Sequence, residues 1–82
     1  MQTYRVLLFA GMREAVGAES ISFDAHDVAT AGDLLRHIRL LHPELEPWLK
    51  ISRIAVNQSF VPLERGVDPT CEIALIPPVS GG

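Results

Sequence analysis

The sequence predicts an α+β fold in which a mixed β-sheet packs on one main helix, and three observations support that reading. Apolar residues alternate with period two near both ends of the chain, at residues 3–10 and 71–76, the repeat that turns every second side chain of a strand to one face. From Thr30 onward the spacing changes to that of a helix. Eighty-two residues suffice for one core and not for two. Neither element buries its apolar side alone, so helix and sheet must pack on each other.

In chain order, residues 3–10 form the first strand, with Tyr4, Val6 and Leu8 on one face and Arg5, Leu7 and Phe9 on the other. Gly11 to Gly17 reads as a turn holding a short helix around Met12-Arg13-Glu14-Ala15-Val16. Residues 20–24 return as a second strand, antiparallel and hairpin-like, with Ile21 and Phe23 on one face. Thr30 then caps the main helix, and Asp33 takes the place of the usual Glu or Gln of a capping box. Leu34, Ile38 and Leu41 make the apolar stripe, widened by Leu35, while Arg36, His37 and Arg39 face water. His42-Pro43 ends the helix, because proline disfavours helical backbone in the residue before it. Leu45, Trp48 and Leu49 fold back as a short helical turn over the edge of the core.

Residues 53–58 resume strand alternation through Ile54 and Val56, and Phe60-Val61 is a short strand ended by Pro62, which suits a sheet edge. Gly66 and Asp68-Pro69 mark the loop at residues 64–70. Residues 71–76 are the last strand, with Ile73 and Leu75 inward and Glu72, Ala74 and Ile76 outward. One helix covers one sheet face, and the other face is left open. Arg5 and Glu72 identify that open face, which also carries Leu7, Phe9, Ala74 and Ile76, with Phe60 near them. Apolar residues gathered on an open face predict a docking surface.

The composition excludes several classes of function. A net charge of −3, with no stripe of Lys or Arg, argues against a nucleic-acid surface. The apolar run from Val6 to Met12 is too short for a membrane span and lacks the flanks of a signal peptide. A single Cys71 forms no internal disulfide, which suits a reducing compartment, so a soluble cytoplasmic protein is expected. Cys71 begins a strand in the inward register and reads as a buried thiol, not a nucleophile. His37 and His42 are five apart and share no helix face, so His26, His37 and His42 read as surface residues and no metal is expected. No glycine-rich phosphate loop is present.

The last stretch, Ile76-Pro77-Pro78-Val79-Ser80-Gly81-Gly82, is the most specific signal. Two prolines hold the backbone extended and remove two donors, and two glycines follow without side chains. Residues 1–76 are therefore expected to form the domain, and residues 77–82 an extended tail. Fully stretched, that tail reaches roughly 20 Å. It is long and thin enough to enter another protein's active site and present the α-carboxylate of Gly82 there.

On these residues the chain resembles the ubiquitin-like β-grasp proteins and, more narrowly, the small, sulfur-carrying subunits of molybdopterin synthase. The resemblance rests on Val6-Leu7-Leu8-Phe9-Ala10 with Arg13-Glu14, Thr30 with Leu34-Leu35, Val56-Asn57-Gln58, and above all Ala74-Leu75-Ile76-Pro77-Pro78-Val79-Ser80-Gly81-Gly82. It covers essentially the whole chain. One departure is local: the family usually has a Gly-Asp-type turn before the last strand, where Thr70-Cys71 stand here.

The resemblance implies that an ATP-dependent, ubiquitin-activating-type adenylyltransferase adenylates Gly82 and that sulfur then displaces AMP to leave a thiocarboxylate. It also implies a large synthase subunit, in an expected heterotetramer, in which this sulfur passes to cyclic pyranopterin monophosphate for the molybdenum cofactor. On that view Gly82 reacts and Gly81 gives clearance, while Phe9, Phe60, Ile76, Pro77, Pro78, Val79 and Ser80 meet partners. The chain binds no cofactor, ATP being used by the activating partner, and is no enzyme on its own, with the catalytic pocket in the large subunit. The alternatives are a carrier for thiamine, cysteine or tRNA thiolation, a ubiquitin-like modifier joined through Gly82 to a lysine, and an adaptor with an idle tail.

Overall fold

The computed structural model describes residues 2–78. Its strands are β1 (Gln2–Leu7), β2 (Ser20–Ala25), β3 (Arg53–Val56), β4 (Ser59–Phe60) and β5 (Ile73–Ile76). Its helices are α1 (Gly11–Val16), α2 (Ala31–Leu41) and α3 (Glu46–Leu49), with a 3₁₀ turn at Pro43–Leu45. The strands make one mixed sheet in the order β2-β1-β5-β3-β4. The first and last strands of the described chain are thus neighbours, paired in parallel with Val6 beside Ile73 and Leu7 beside Ala74. The other pairings are antiparallel.

One face of the sheet is sealed. Tyr4, Val6 and Leu8, then Ile21 and Phe23, then Ile54 and Val56, then Ile73 and Leu75 all point to the α2 side and are buried. From α2, Ala31, Leu34 and Ile38 meet them with no exposed surface, and Leu45 and Leu49 close the edge as expected. Tyr4 is the one large polar-tipped side chain in this core; its hydroxyl donates to the Val28 carbonyl at 3.3 Å. Burial is the main reason its phenol is pushed above the ordinary value.

The capping box forms as read. Thr30 Oγ1 accepts the Asp33 N–H at 3.2 Å, and Asp33 Oδ2 accepts the N–H groups of Ala29 and Thr30 at 3.1 and 3.2 Å. The Ala29 N–H, followed by that of Thr30, holds the Asp33 carboxyl below its usual range. A depressed carboxyl contributes stability above its unfolded pKa and loses it as pH falls through the folded value. Asp33→Asn keeps an acceptor oxygen but does not titrate. Thermal melts at stepped pH should therefore show the parent's Tm dropping faster than the variant's below about pH 4. Parallel curves there would show that the Asp33 charge adds nothing.

The structure corrects the local reading at five points. Leu41 does not complete the helix stripe and is half exposed, because Leu45 on the following 3₁₀ turn supplies the core contact at that end. His37 does not simply face water. Its ring stacks on Phe23 at 6.0 Å between centroids, and its Nε2 lies 2.7 Å from Asp27 Oδ1. The strand read at residues 53–58 ends at Val56, since Asn57 and Gln58 take left-handed backbone with φ of 51° and 69°. The last strand begins at Ile73 and not at Cys71. Before it, Asp68 ties down a turn by accepting the Thr70 N–H at 2.8 Å, and its carbonyl takes the Cys71 N–H at 3.1 Å. Cys71 is therefore only half buried, packed against the core's edge instead of within it.

Candidate functional site

The open face of the sheet owes its shape to one transverse row. Leu7 on β1 pairs with Ala74 on β5, Ala74 with Ala55 on β3, and Ala55 with Phe60 on β4. Two methyl groups in the middle and two large side chains at the ends make a trough. Phe9, two residues past the end of the β1–β5 ladder, and Ile76 line the same hollow. The result is a depression of about 240 Å³ lined by Leu7, Phe9, Ala55, Phe60, Ala74 and Ile76, with Gln58 and Glu72 at its polar margin. The apolar residues expected on this face from strand parity are all here. The structure adds Ala55 and Gln58 to them: Ala55 lies between the inward Ile54 and Val56 and so faces outward, and Gln58 reaches this face through the two-residue turn that links β3 and β4.

Local backbone geometry places the two aromatic walls. Asn57 and Gln58 form the left-handed pair a two-residue hairpin requires, which folds Phe60 back over Ala55. Asn57 also bonds both ways with Glu72: its N–H donates to the Glu72 carbonyl at 2.8 Å, and its Oδ1 accepts the Glu72 N–H at 2.9 Å. The turn is thereby tied to the lead-in of β5. Arg53 lies over the Phe60 ring, 4.1 Å from its centroid. Arg13 lies over Phe9 at 5.5 Å while its Nε donates to the Leu8 carbonyl at 3.1 Å. Both phenyl walls are thus backed by guanidinium groups, a favourable contact that also gives the apolar trough two cationic shoulders.

The bend that carries Phe9 is strained. Ala10 has φ 52° and ψ −129°, a conformation that glycine tolerates and alanine resists. Behind it, Gly11 must lack a side chain, since a Cβ there would lie 2.7 Å from the indole nitrogen of Trp48. Ala10→Gly should relieve the strain and raise stability by about 1 kcal/mol, after allowance for the added freedom of the unfolded chain. Chemical denaturation measures this directly; an unchanged or lower midpoint would mean that the bend costs nothing.

The trough runs into the point where the chain leaves the sheet. Phe60 and Ile76 are shared with a second hollow of about 270 Å³, completed by Ile51, Arg53, Pro77 and Pro78. Pro77 is half buried and Pro78 exposed. Phe9, Phe60, Ile76, Pro77 and Pro78 therefore form one continuous surface, while Val79, Ser80, Gly81 and Gly82 lie outside the described residues. Among the described residues, Glu72 is the one titratable side chain lining the trough. Among the described residues, no three His, Cys, Asp or Glu side chains gather as metal ligands would. Asp27 and Asp68 are held below the usual carboxylate range, first by the His37 and Thr70 side chains respectively, within local hydrogen bonds. His42 pairs with Glu44 at 3.3 Å. No helix of the described chain is long and apolar enough to cross a membrane.

A mixed five-stranded sheet over one main helix, with its last strand central, is the ubiquitin-like β-grasp arrangement. The chain belongs to the ThiS family, whose model matches residues 6–82. It is 37% identical over 82 residues to a molybdopterin synthase sulfur carrier subunit of Dictyostelium discoideum, covering 96% of this chain and 95% of that one. Among solved structures it resembles small archaeal modifier protein 1 of H. volcanii, with a TM-score of 0.82 and 26% identity over 96% of this chain and all of that one. It also resembles a chain in the complex of subunits 1 and 2 of molybdopterin-converting factor from Helicobacter pylori. There the TM-score is 0.70 and the identity 27%, covering 99% of this chain and all of that chain.

Proposed function

We propose that this protein is the sulfur-carrier subunit of a molybdopterin synthase and works in the cytoplasm. In this reading a partner adenylyltransferase joins the Gly82 carboxylate to the AMP portion of ATP and releases pyrophosphate. A sulfur nucleophile then displaces AMP, leaving a Gly82 thiocarboxylate. A large subunit takes hold of the trough, receives the tail, and supplies the pocket in which the sulfur attacks a cyclic pyranopterin phosphate. Water finally releases Gly82 as the carboxylate. Two small and two large subunits make the expected assembly. The observation that carries the reading is the continuity of the trough with Pro77 and Pro78. A partner seated on Phe9, Phe60 and Ile76 stands next to the emerging tail, and a held tail turns a bimolecular encounter into an intramolecular step. The names borne by the relatives, and the two-subunit complex among the similar structures, point the same way.

The likeness to an archaeal modifier favours one other reading, attachment of Gly82 to a lysine of another protein. Intact-mass measurement after co-expression with the activating enzyme separates the two. Exchange of one oxygen for sulfur at the terminus, followed by sulfuration of the pterin when the large subunit is added, is the expected result. A ladder of covalent conjugates without the sulfur adduct would overturn it.

A further inference from the structure

A second groove shares no lining residue with the trough itself, and Arg53 stands between it and the hollow at Pro77 and Pro78. Its apolar surface is formed by Leu35, Leu49, Ile54 and Val61, with Leu63 half exposed at the side. Around it stand Arg39, Lys50 and Arg53, three of the seven basic residues in a chain whose net charge is −3. No Asp or Glu lines it. Glu46 balances Arg39 at 2.7 Å, but Lys50 and Arg53 form no ion pair among the described residues. Ser52 is also in the lining, its hydroxyl oxygen buried beneath the surface and without a hydrogen-bond partner among the described residues.

We propose that this groove docks a segment of a partner protein in which acidic residues alternate with leucine-like ones. Carboxylates answer Lys50 and Arg53, while an aliphatic side chain covers Leu35, Val61 and Leu63. A free phosphate would meet the cations but leave the apolar surface uncovered, so a mixed segment fits better than a small anion. At about 440 Å³ the groove is larger than the trough, as an extended segment requires. The proposal is independent of the sulfur chemistry at Gly82.

The test is an NMR titration of the isotope-labelled full chain with a synthetic peptide alternating glutamate and leucine. The amides of Leu35, Lys50, Ser52 and Leu63 should shift saturably while those of Leu7 and Ala74 stay in place. Lys50→Glu should weaken binding by about fivefold or more. Leu63→Ser should weaken it as well while leaving the spectrum of the free protein folded. Equal binding of a lysine–leucine peptide, the same shifts with inorganic phosphate alone, shifts centred on the trough, or no saturation would each overturn the proposal.

Discussion

A chain carrying one extra alanine after Gly82 should fold and melt as the parent does, yet acquire no sulfur. The buried core of the described residues ends at Leu75, so the addition touches nothing that holds the fold. It does move the carboxylate one residue further on and puts a methyl group where an activating site has to close around bare glycine backbone. Reaction at a held group depends on placement to within about 1 Å, and a misplacement of that size costs on the order of a hundredfold. A full residue is more than three times as long. Intact mass after co-expression with the activating enzyme reads loading, and a thermal melt reads folding. Normal loading of the extended chain, followed by delivery of the sulfur, would remove Gly82 from the mechanism.

The second large effect is expected at the trough. Phe60→Asp should weaken association with the large subunit by a hundredfold or more, about 3 kcal/mol, because it puts a charge on the wall of an apolar contact. The fold should tolerate it far better. Phe60 sits on an edge strand of two residues and is half exposed, and within the monomer its ring meets the Arg53 guanidinium. Losing that contact costs about 1 kcal/mol, a Tm drop of roughly 4–8 °C in a domain of this size. Phe9→Asp should behave alike at the opposite wall. Titration calorimetry against the large subunit gives the affinities. A change of threefold or less in both variants would move the interface elsewhere, and collapse of the isolated fold would return these rings to the core.

Strand parity was readable from short-range pattern alone. Tyr4, Val6 and Leu8 go inward, and Leu7 and Phe9 go outward, because neighbouring residues of a strand must face opposite ways. The helix cap at Thr30 and Asp33 was equally local. What failed were features decided by distant parts of the chain. Leu41 lost its core place to Leu45, and His37 was drawn onto Phe23, a residue of another element. Ala55 joined the trough through its register with Ala74, nineteen positions away by the numbering. The hairpin at Asn57 and Gln58 was missed for a chemical reason. Its second position holds glutamine, where glycine would have announced a left-handed turn.

By itself the sequence determined which side chains alternate, where the helix starts, and that two prolines follow the last strand, because these depend on covalent geometry and residues a few positions apart. Only the tertiary structure decided that two alanines from different strands would sit side by side between aromatic walls, next to the departing prolines. Strand order and register are set by packing between segments far apart in the chain, so no local pattern records them.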